Sequence, residues 1–216
     1  MTDRKKIGLF GGTFNPIHRG HVSAARAVAE KLSLLKVIFI PSSRPPHKEL
    51  EDKTAPSHRL AMVKLAIAGD PLLGVSDIEV ARGGESYTLF TLKEMRKNLP
   101  QAHFTFILGV DAYLEISAWH RFKEVLPLVD WAVIGRPGYR LPDLANPLKD
   151  IAAAFHGKDG NVIMRDDPPT RIFFLAVPET DISSSDVRAA VRLGGPIRNL
   201  VPDAVAAYIE KNGLYK

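Results

Sequence analysis

The chain has no cysteine, and that single absence excludes disulfides, thiolate metal sites, iron–sulfur clusters and cysteine nucleophiles together. Long hydrophobic runs are missing as well. No apolar stretch approaches the roughly 18 residues of a spanning helix, and the one between Met1 and Gly12 is too short for a signal peptide. The expected compartment is therefore the cytosol, with no membrane partner. A basic block is also lacking: 29 Lys and Arg stand against 24 Asp and Glu, but they are scattered, with Arg4, Lys5 and Lys6 the densest group. A polymeric nucleic acid calls for a basic stripe, so the surplus fits a small phosphorylated partner and no nucleic acid. What is present is enough for a core. With 216 residues and 45% hydrophobic content the chain is not disordered, and a single domain of this size buries roughly 70% of the surface its unfolded chain exposes.

Short apolar runs rich in β-branched and aromatic residues alternate with stretches of helical period, which predicts an α/β fold. Strands are expected at Ile7–Phe10, Val37–Ile40, Phe104–Leu108, Trp131–Ile134 and Ile172–Val177, with a further one at Gly74–Val80. Helical patterns run from about His21 to Leu34, Ser57 to Ala68, Tyr87 to Asn98 and Phe122 to Leu128; another begins near Ser184, and Pro202 opens the last, ending before Gly213. Strands that are apolar almost throughout are buried on both faces, so the sheet is expected to be mainly parallel, Rossmann-like, with helices on each side. Residues 1–216 read as one domain. The weakly patterned stretch 137–170 reads as a surface excursion, with a small helix at Leu148–Phe155.

The first strand runs directly into Gly11-Gly12-Thr13-Phe14-Asn15-Pro16-Ile17-His18-Arg19-Gly20-His21, and a helical pattern follows at once. Ligands of open α/β sheets bind beyond the carboxyl ends of strands, where glycines let backbone N–H groups approach a phosphate. The helix that follows adds unpaired N–H groups and the positive end of its dipole. His18 and His21 are three residues apart, so in helical geometry both imidazoles reach one face. A zinc site is the competing reading, but no third ligand is evident. The turn lacks the lysine and hydroxyl of a Walker motif.

The turn GGTFNPIHRGH resembles the signature of the HxGH nucleotidyltransferase superfamily, and specifically that of bacterial nicotinate-nucleotide adenylyltransferases. Pro45-Pro46-His47-Lys48, Gly109-Val110-Asp111, Trp119-His120-Arg121-Phe122, Arg136-Pro137-Gly138, Ile182-Ser183-Ser184-Ser185-Asp186-Val187-Arg188 and the stretch Leu200 to Tyr215 fall in that family's order. The resemblance implies transfer of the adenylyl group of ATP to nicotinate mononucleotide, giving deamido-NAD and pyrophosphate. That reaction needs neither a covalent nucleophile nor a strong base, since the attacking phosphate is already ionised; it needs positioning and charge stabilisation. The resemblance implies phosphate contacts from Gly11, Gly12, Thr13, Phe14, His18 and His21, and a clamp from Ser183, Ser184 and Arg188. Catalysis is expected to rest on His18, His21 and Arg188. Ser183 or Ser184 is equally a good helix N-cap, and the two roles coexist. The mononucleotide is expected against Lys48, Tyr87, Thr88, Gly109, Asp111, Trp119 and Arg136, with Trp119 stacking on the pyridine ring and Asp111 accepting from ribose hydroxyls. Magnesium is expected with the triphosphate, held by phosphate oxygens and water without a protein cage.

Two residues depart from the family pattern: Asn15 where aspartate is usual, and Ser185 where threonine is usual. Neither change removes a phosphate donor. Asn15 is the residue type of relatives that prefer the nicotinamide mononucleotide, which leaves the acid-versus-amide preference open. Phosphopantetheine adenylyltransferase shares the turn and paired histidines but lacks the PPHK and tryptophan pattern. A nucleotide sensor without turnover is the non-enzymatic alternative, and retention of both histidines with Arg188 speaks against it.

Overall fold

A computed structural model describes residues 4–46, 52, 54–135, 148, 156–158, 162–177 and 182–216. Its described strands form one eight-stranded sheet. In chain order these are β1 (Lys5–Gly12), β2 (Lys36–Pro41), β3 (Leu73–Val75), β4 (Ala102–Gly109), β5 (Asp130–Gly135), β6 (His156–Lys158), β7 (Val162–Asp166) and β8 (Pro169–Ala176). The helices are α1 (Arg19–Leu32), α2 (Pro56–Ala66), α3 (Ile78–Arg82), α4 (Thr88–Asn98), α5 (Val110–Leu114), α6 (Phe122–Val125), α7 (Ser184–Arg192) and α8 (Asp203–Asn212), with single 3₁₀ turns at Ile116–Ala118 and Leu126–Leu128.

The strand order is β3-β2-β1-β4-β5-β8-β7-β6, parallel from β3 to β8 and antiparallel across β8, β7 and β6. The expected mainly parallel, Rossmann-like sheet is present. The order reverses between β1 and β4, which opens a crevice at the carboxyl ends of those strands. Side chains alternate between two cores: Ile7 and Leu9 pack on one face with Trp131 and Val133, while Phe10 packs on the other with Val37, Phe39 and Ala132. Apolar residues at successive strand positions thus all find a dry partner, as a sheet covered on both faces requires. Among the described residues no helix is long and apolar enough to cross a membrane.

The expected strand at Gly74–Val80 is corrected: only Leu73–Val75 pairs, with β2. Ser76 gives its N–H to the Phe39 carbonyl at 2.9 Å and accepts the Ile78 N–H on its hydroxyl at 3.4 Å, so the chain turns into α3 instead of continuing the ladder. Within the stretch expected as a surface excursion, β6, β7 and the first residues of β8 extend the sheet edge as antiparallel strands. The helix expected at Leu148–Phe155 lies outside the described residues except for Leu148, which is buried.

At the opposite, amino ends of β4, β5 and β8 a buried carboxylate ties three strands. Asp130 accepts the Arg171 N–H at 2.9 Å on one oxygen, and on the other the Arg171 guanidinium at 2.5 Å and His103 Nε2 at 2.6 Å. Burial pushes the Asp130 carboxyl up, but the His103 and Arg171 hydrogen bonds outweigh it and hold its pKa below the ordinary value. A depressed folded-state pKa contributes stability above the unfolded value, about 3.9, and loses it as pH falls through the folded value. Asp130→Asn is therefore expected to flatten the acid limb of the stability curve below about pH 4, measured by urea unfolding across pH; an unchanged acid limb would refute this.

Candidate active site

The turn after β1 is shaped by rings. A Cβ on Gly11 would lie 2.6 Å from the Phe106 ring and one on Gly12 2.9 Å from the Phe14 ring, so a side chain at either position would push a packed ring aside. Phe14 itself has φ 49°, a left-handed backbone that costs a bulky residue on the order of 1–3 kcal/mol. It is held there by edge-on contacts with Phe10 at 5.6 Å, Phe39 at 5.4 Å and the His21 ring at 5.1 Å. Arg59 of α2, fully buried, pins the turn from below: its guanidinium donates to the Thr13 carbonyl at 2.7 Å and to the Ser43 carbonyl at 2.8 Å.

His18 is the N-cap of α1, and its N–H donates to His21 Nδ1 at 3.3 Å. That bond makes Nδ1 the acceptor, so the proton of a neutral His21 sits on Nε2. The two rings lie 3.7 Å apart between centroids. Burial lowers the His18 pKa to about 4, against the raising influence of Asp186, and burial together with the neighbouring His18 lowers His21 well below the ordinary value. These shifts leave both imidazoles neutral at pH 7, each with one ring N–H to offer and no positive charge.

The serine-rich motif closes on the same turn. Ser183 caps α7, accepting the Asp186 N–H at 3.1 Å while its own N–H donates to the Asp186 carboxylate at 2.8 Å, a reciprocal cap. Ser184 donates to the Pro16 carbonyl at 2.9 Å. Arg188 is buried; it donates to the Asn15 carbonyl at 3.0 Å and to Ser185 Oγ at 3.2 Å, and its Nε lies 2.7 Å from the Asp52 carboxylate. Asn15 accepts on its side-chain oxygen from the Tyr215 hydroxyl at 2.8 Å. Residues more than 160 positions apart in sequence thus form one built unit around the turn.

Beside this unit lies a cavity of about 490 Å³ at the carboxyl ends of β1, β2 and β4, whose lining includes Gly11, Gly12 and Thr13 as well as Tyr87, Thr88, Gly109, Asp111 and Trp119. Of the residues expected to hold ATP, Gly11, Gly12 and Thr13 line this space together with the expected acceptor residues, whereas Phe14, His18, His21, Ser183, Ser184 and Arg188 are not part of its lining. Trp119 is half-buried, with edge-on contacts to Phe106 at 6.2 Å and Trp131 at 6.1 Å. Tyr87 and His120 stack at 4.5 Å. Asp111 stands exposed in the first turn of α5, whose N-cap is Gly109. Asn15 is not among the residues lining the cavity. Lys48 and Arg136 lie outside the described residues.

Sequence reasoning missed Ser42, Glu79, Ser86 and Phe106 of the lining, and the strut Arg59. Glu79 is buried, accepts from Thr91 at 2.6 Å, and has its pKa raised by burial against hydrogen bonds from Thr91 and Ser86. Arg59 left one faint signal: it shares the spacing of Met62 and Val63, the buried face of α2, where a charged residue must find partners.

A doubly wound sheet with a glycine-rich turn, paired imidazoles and a capped serine helix at its switch point defines a nucleotidyltransferase, and the profile of the cytidylyltransferase-like family matches residues 9–190. Full-length relatives narrow the class. The chain is 41% identical over 214 residues to a protein of Desulfitobacterium hafniense named "Probable nicotinate-nucleotide adenylyltransferase", covering 98% of this chain and 96% of the relative. It is 38% identical over 213 residues to one of the same name from Geobacter metallireducens, covering 97% and 98%. It belongs to the nicotinate-nucleotide adenylyltransferase family. The fold is that of the Plasmodium falciparum nicotinic acid mononucleotide adenylyltransferase solved with NaAD, with a TM-score of 0.74 at 20% identity over 98% of this chain and 97% of that one.

Proposed function

We propose that the chain joins ATP to nicotinate mononucleotide by direct in-line attack. An oxygen of the mononucleotide 5′-phosphate forms a bond to the α-phosphorus, the bond from that phosphorus to the α–β bridging oxygen breaks, and pyrophosphate leaves with the electron pair; no proton has to be removed from the nucleophile. The observation that supports this reading is one cavity whose lining includes both Gly11–Thr13 and Tyr87, Thr88, Gly109, Asp111 and Trp119, next to the turn that carries two neutral imidazoles. His18 and His21 donate to the triphosphate, with backbone N–H groups of residues 11–14. Ser183, Ser184 and Arg188 close the phosphate end, in part by holding Asn15 and Pro16 in place. Lys48 and Arg136 are assigned to the bound nucleotides on the family resemblance. Magnesium would arrive bound to the triphosphate, held by phosphate oxygens and water, and would offset the charge on those oxygens.

The test is pyrophosphate release from magnesium-ATP with nicotinate mononucleotide, nicotinamide mononucleotide and phosphopantetheine as separate acceptors. Preference for the nicotinate acceptor is expected; preference for either of the others moves the substrate, and no release with any overturns the reading. Trp119→Ala is expected to raise KM for the mononucleotide about 10-fold or more, as the loss of one base-stacking contact does, with KM for ATP unchanged. Equal shifts in both constants would remove Trp119 from the acceptor site.

A further inference from the structure

One buried carboxylate holds the chain on both sides of Tyr87 and Thr88, two residues of the cavity lining. Glu79 of α3, itself part of that lining, is 7% exposed. It accepts the Thr91 hydroxyl at 2.6 Å and the Ser86 hydroxyl, and Arg82 and Arg59 stand close enough to favour its charged form. A carboxylate only accepts, so each hydroxyl turns its proton toward Glu79 and keeps its oxygen to accept from elsewhere. The Thr91 oxygen takes the Arg82 guanidinium at 2.9 Å, and the Ser86 oxygen takes the Ser43 N–H at 2.8 Å. Ser86 also gives its own N–H to the Arg44 carbonyl at 2.8 Å. The segment entering α4 is thereby clipped to the loop that follows β2, and Pro45 and Pro46 of that loop line the same cavity.

We propose that Glu79 is a positioning residue for the acceptor mononucleotide, acting through Ser86 to fix the backbone of Tyr87 and Thr88. This assignment rests on the proposed reaction. A tie that only joined α3 to α4 would need no more than Thr91, and an apolar pair of similar volume would serve it as well, since a buried charge is costly to desolvate. The bond to Ser86 is what such a tie leaves unexplained. Ser86 precedes α4, whose N-cap is Tyr87, so its hydroxyl adds nothing to the helix. What it does is join two loops: with its proton drawn to Glu79, its oxygen and its N–H hold Ser43 and Arg44, and the two residues that follow start from a fixed peptide plane. Binding of the acceptor depends on that wall being set beforehand, because a displacement of about 1 Å in a positioning element can cost about 100-fold. ATP, assigned to the glycine-rich turn and its histidines, does not depend on it.

The experiment measures kcat, KM for both substrates and melting temperature for wild type, Glu79→Gln, Ser86→Ala, Ser86→Thr and the Glu79→Gln, Ser86→Ala double variant. Glutamine keeps the size of Glu79 but has one accepting oxygen in place of two. Glu79→Gln is expected to raise KM for nicotinate mononucleotide about 10-fold, the worth of a hydrogen bond to a charged group, with kcat and KM for ATP nearly unchanged. Ser86→Ala should do the same, and the double variant no more than the worse single change, because members of one network do not add. Ser86→Thr, which keeps the hydroxyl, should restore the acceptor KM. An acceptor KM within twofold of wild type in Glu79→Gln or in Ser86→Ala overturns the proposal. Effects that multiply in the double variant overturn it too, by making Glu79 act apart from Ser86. So does a rise of both KM values with a lowered melting temperature, the mark of a bond that only holds the fold. If Glu79→Gln does not fold, Ser86→Ala and Ser86→Thr decide, since both leave the Glu79–Thr91 bond in place: a loss that threonine fails to restore overturns the proposal. A wild-type protein that releases no pyrophosphate with any acceptor instead overturns the reaction on which the assignment stands, and so the two failures are told apart.

Discussion

His21→Ala lowers turnover by about 10²–10³-fold while the protein folds normally, the loss expected when one preorganised donor to a developing charge is removed. The magnitude follows from how the imidazole is set. His18 N–H holds Nδ1, which leaves Nε2–H as the donor and fixes the ring before substrate arrives, so no reorganisation is needed during reaction. Burial keeps both imidazoles neutral; they offer directed N–H bonds at physiological pH and change protonation only in acid. The sign for stability is definite for His18: its folded pKa of about 4 lies below the unfolded value near 6.5, so the unfolded chain binds the extra proton between these values, and stability rises with pH across that window and is level above it. A triphosphate placed against the rings favours their charged forms and raises their pKa. ATP binding in mildly acidic buffer should therefore take up protons, seen as a buffer-dependent enthalpy in calorimetry, and His21→Ala should reduce the uptake. Turnover of His21→Ala within tenfold of wild type would remove His21 from the reacting centre.

How much of this was legible in the sequence depended on whether a residue's partner lies near it in the chain. The five main strands were readable because burial on both faces writes itself as continuous apolar runs such as IGLF, buried at all four positions. The turn was readable because the order strand, glycines, histidines, helix is local. Gly74–Val80 was misread because Leu73–Val75 and Ile78 share the same apolar character, and only the hydrogen-bonding of Ser76 separates strand from helix. The strands at the edge carry half-buried residues such as Val162 and Met164, whose weak alternation resembles a loop. Ser42 and Glu79 left no usable signal, and Arg59 only the spacing it shares with the buried face of α2, because what defines each is a partner distant in the chain. The substrate residues from Tyr87 to Trp119 were identified by family resemblance, and their common cavity is a product of topology, the crevice that opens where the strand order reverses.

Arg59 is the part of that topology with the largest expected effect on stability. Its side chain is wholly buried, and it spans α2, the turn and the strand end after β2 by donating to the carbonyls of Thr13 and Ser43, with a weaker bond to Thr54 at 3.4 Å. Arg59→Met keeps the apolar stem and much of the volume but leaves two half-buried carbonyls without their donor. At about 1–3 kcal/mol for each unsatisfied group the loss is about 3 kcal/mol, and for a chain of this length each kcal/mol lowers the melting temperature by about 2–4 °C. A fall of about 10 °C is therefore expected, measurable by thermal denaturation. Activity should fall further than the folded fraction does at 25 °C, because Thr13 lines the cavity and its carbonyl is one of the two held. Arg59→Lys keeps the charge but not the planar fork that reaches two carbonyls at once, and should recover only part of either loss. A melting temperature within about 2 °C of wild type for Arg59→Met, with normal turnover, would show that the turn is held by the rings of Phe14 and Phe106 alone.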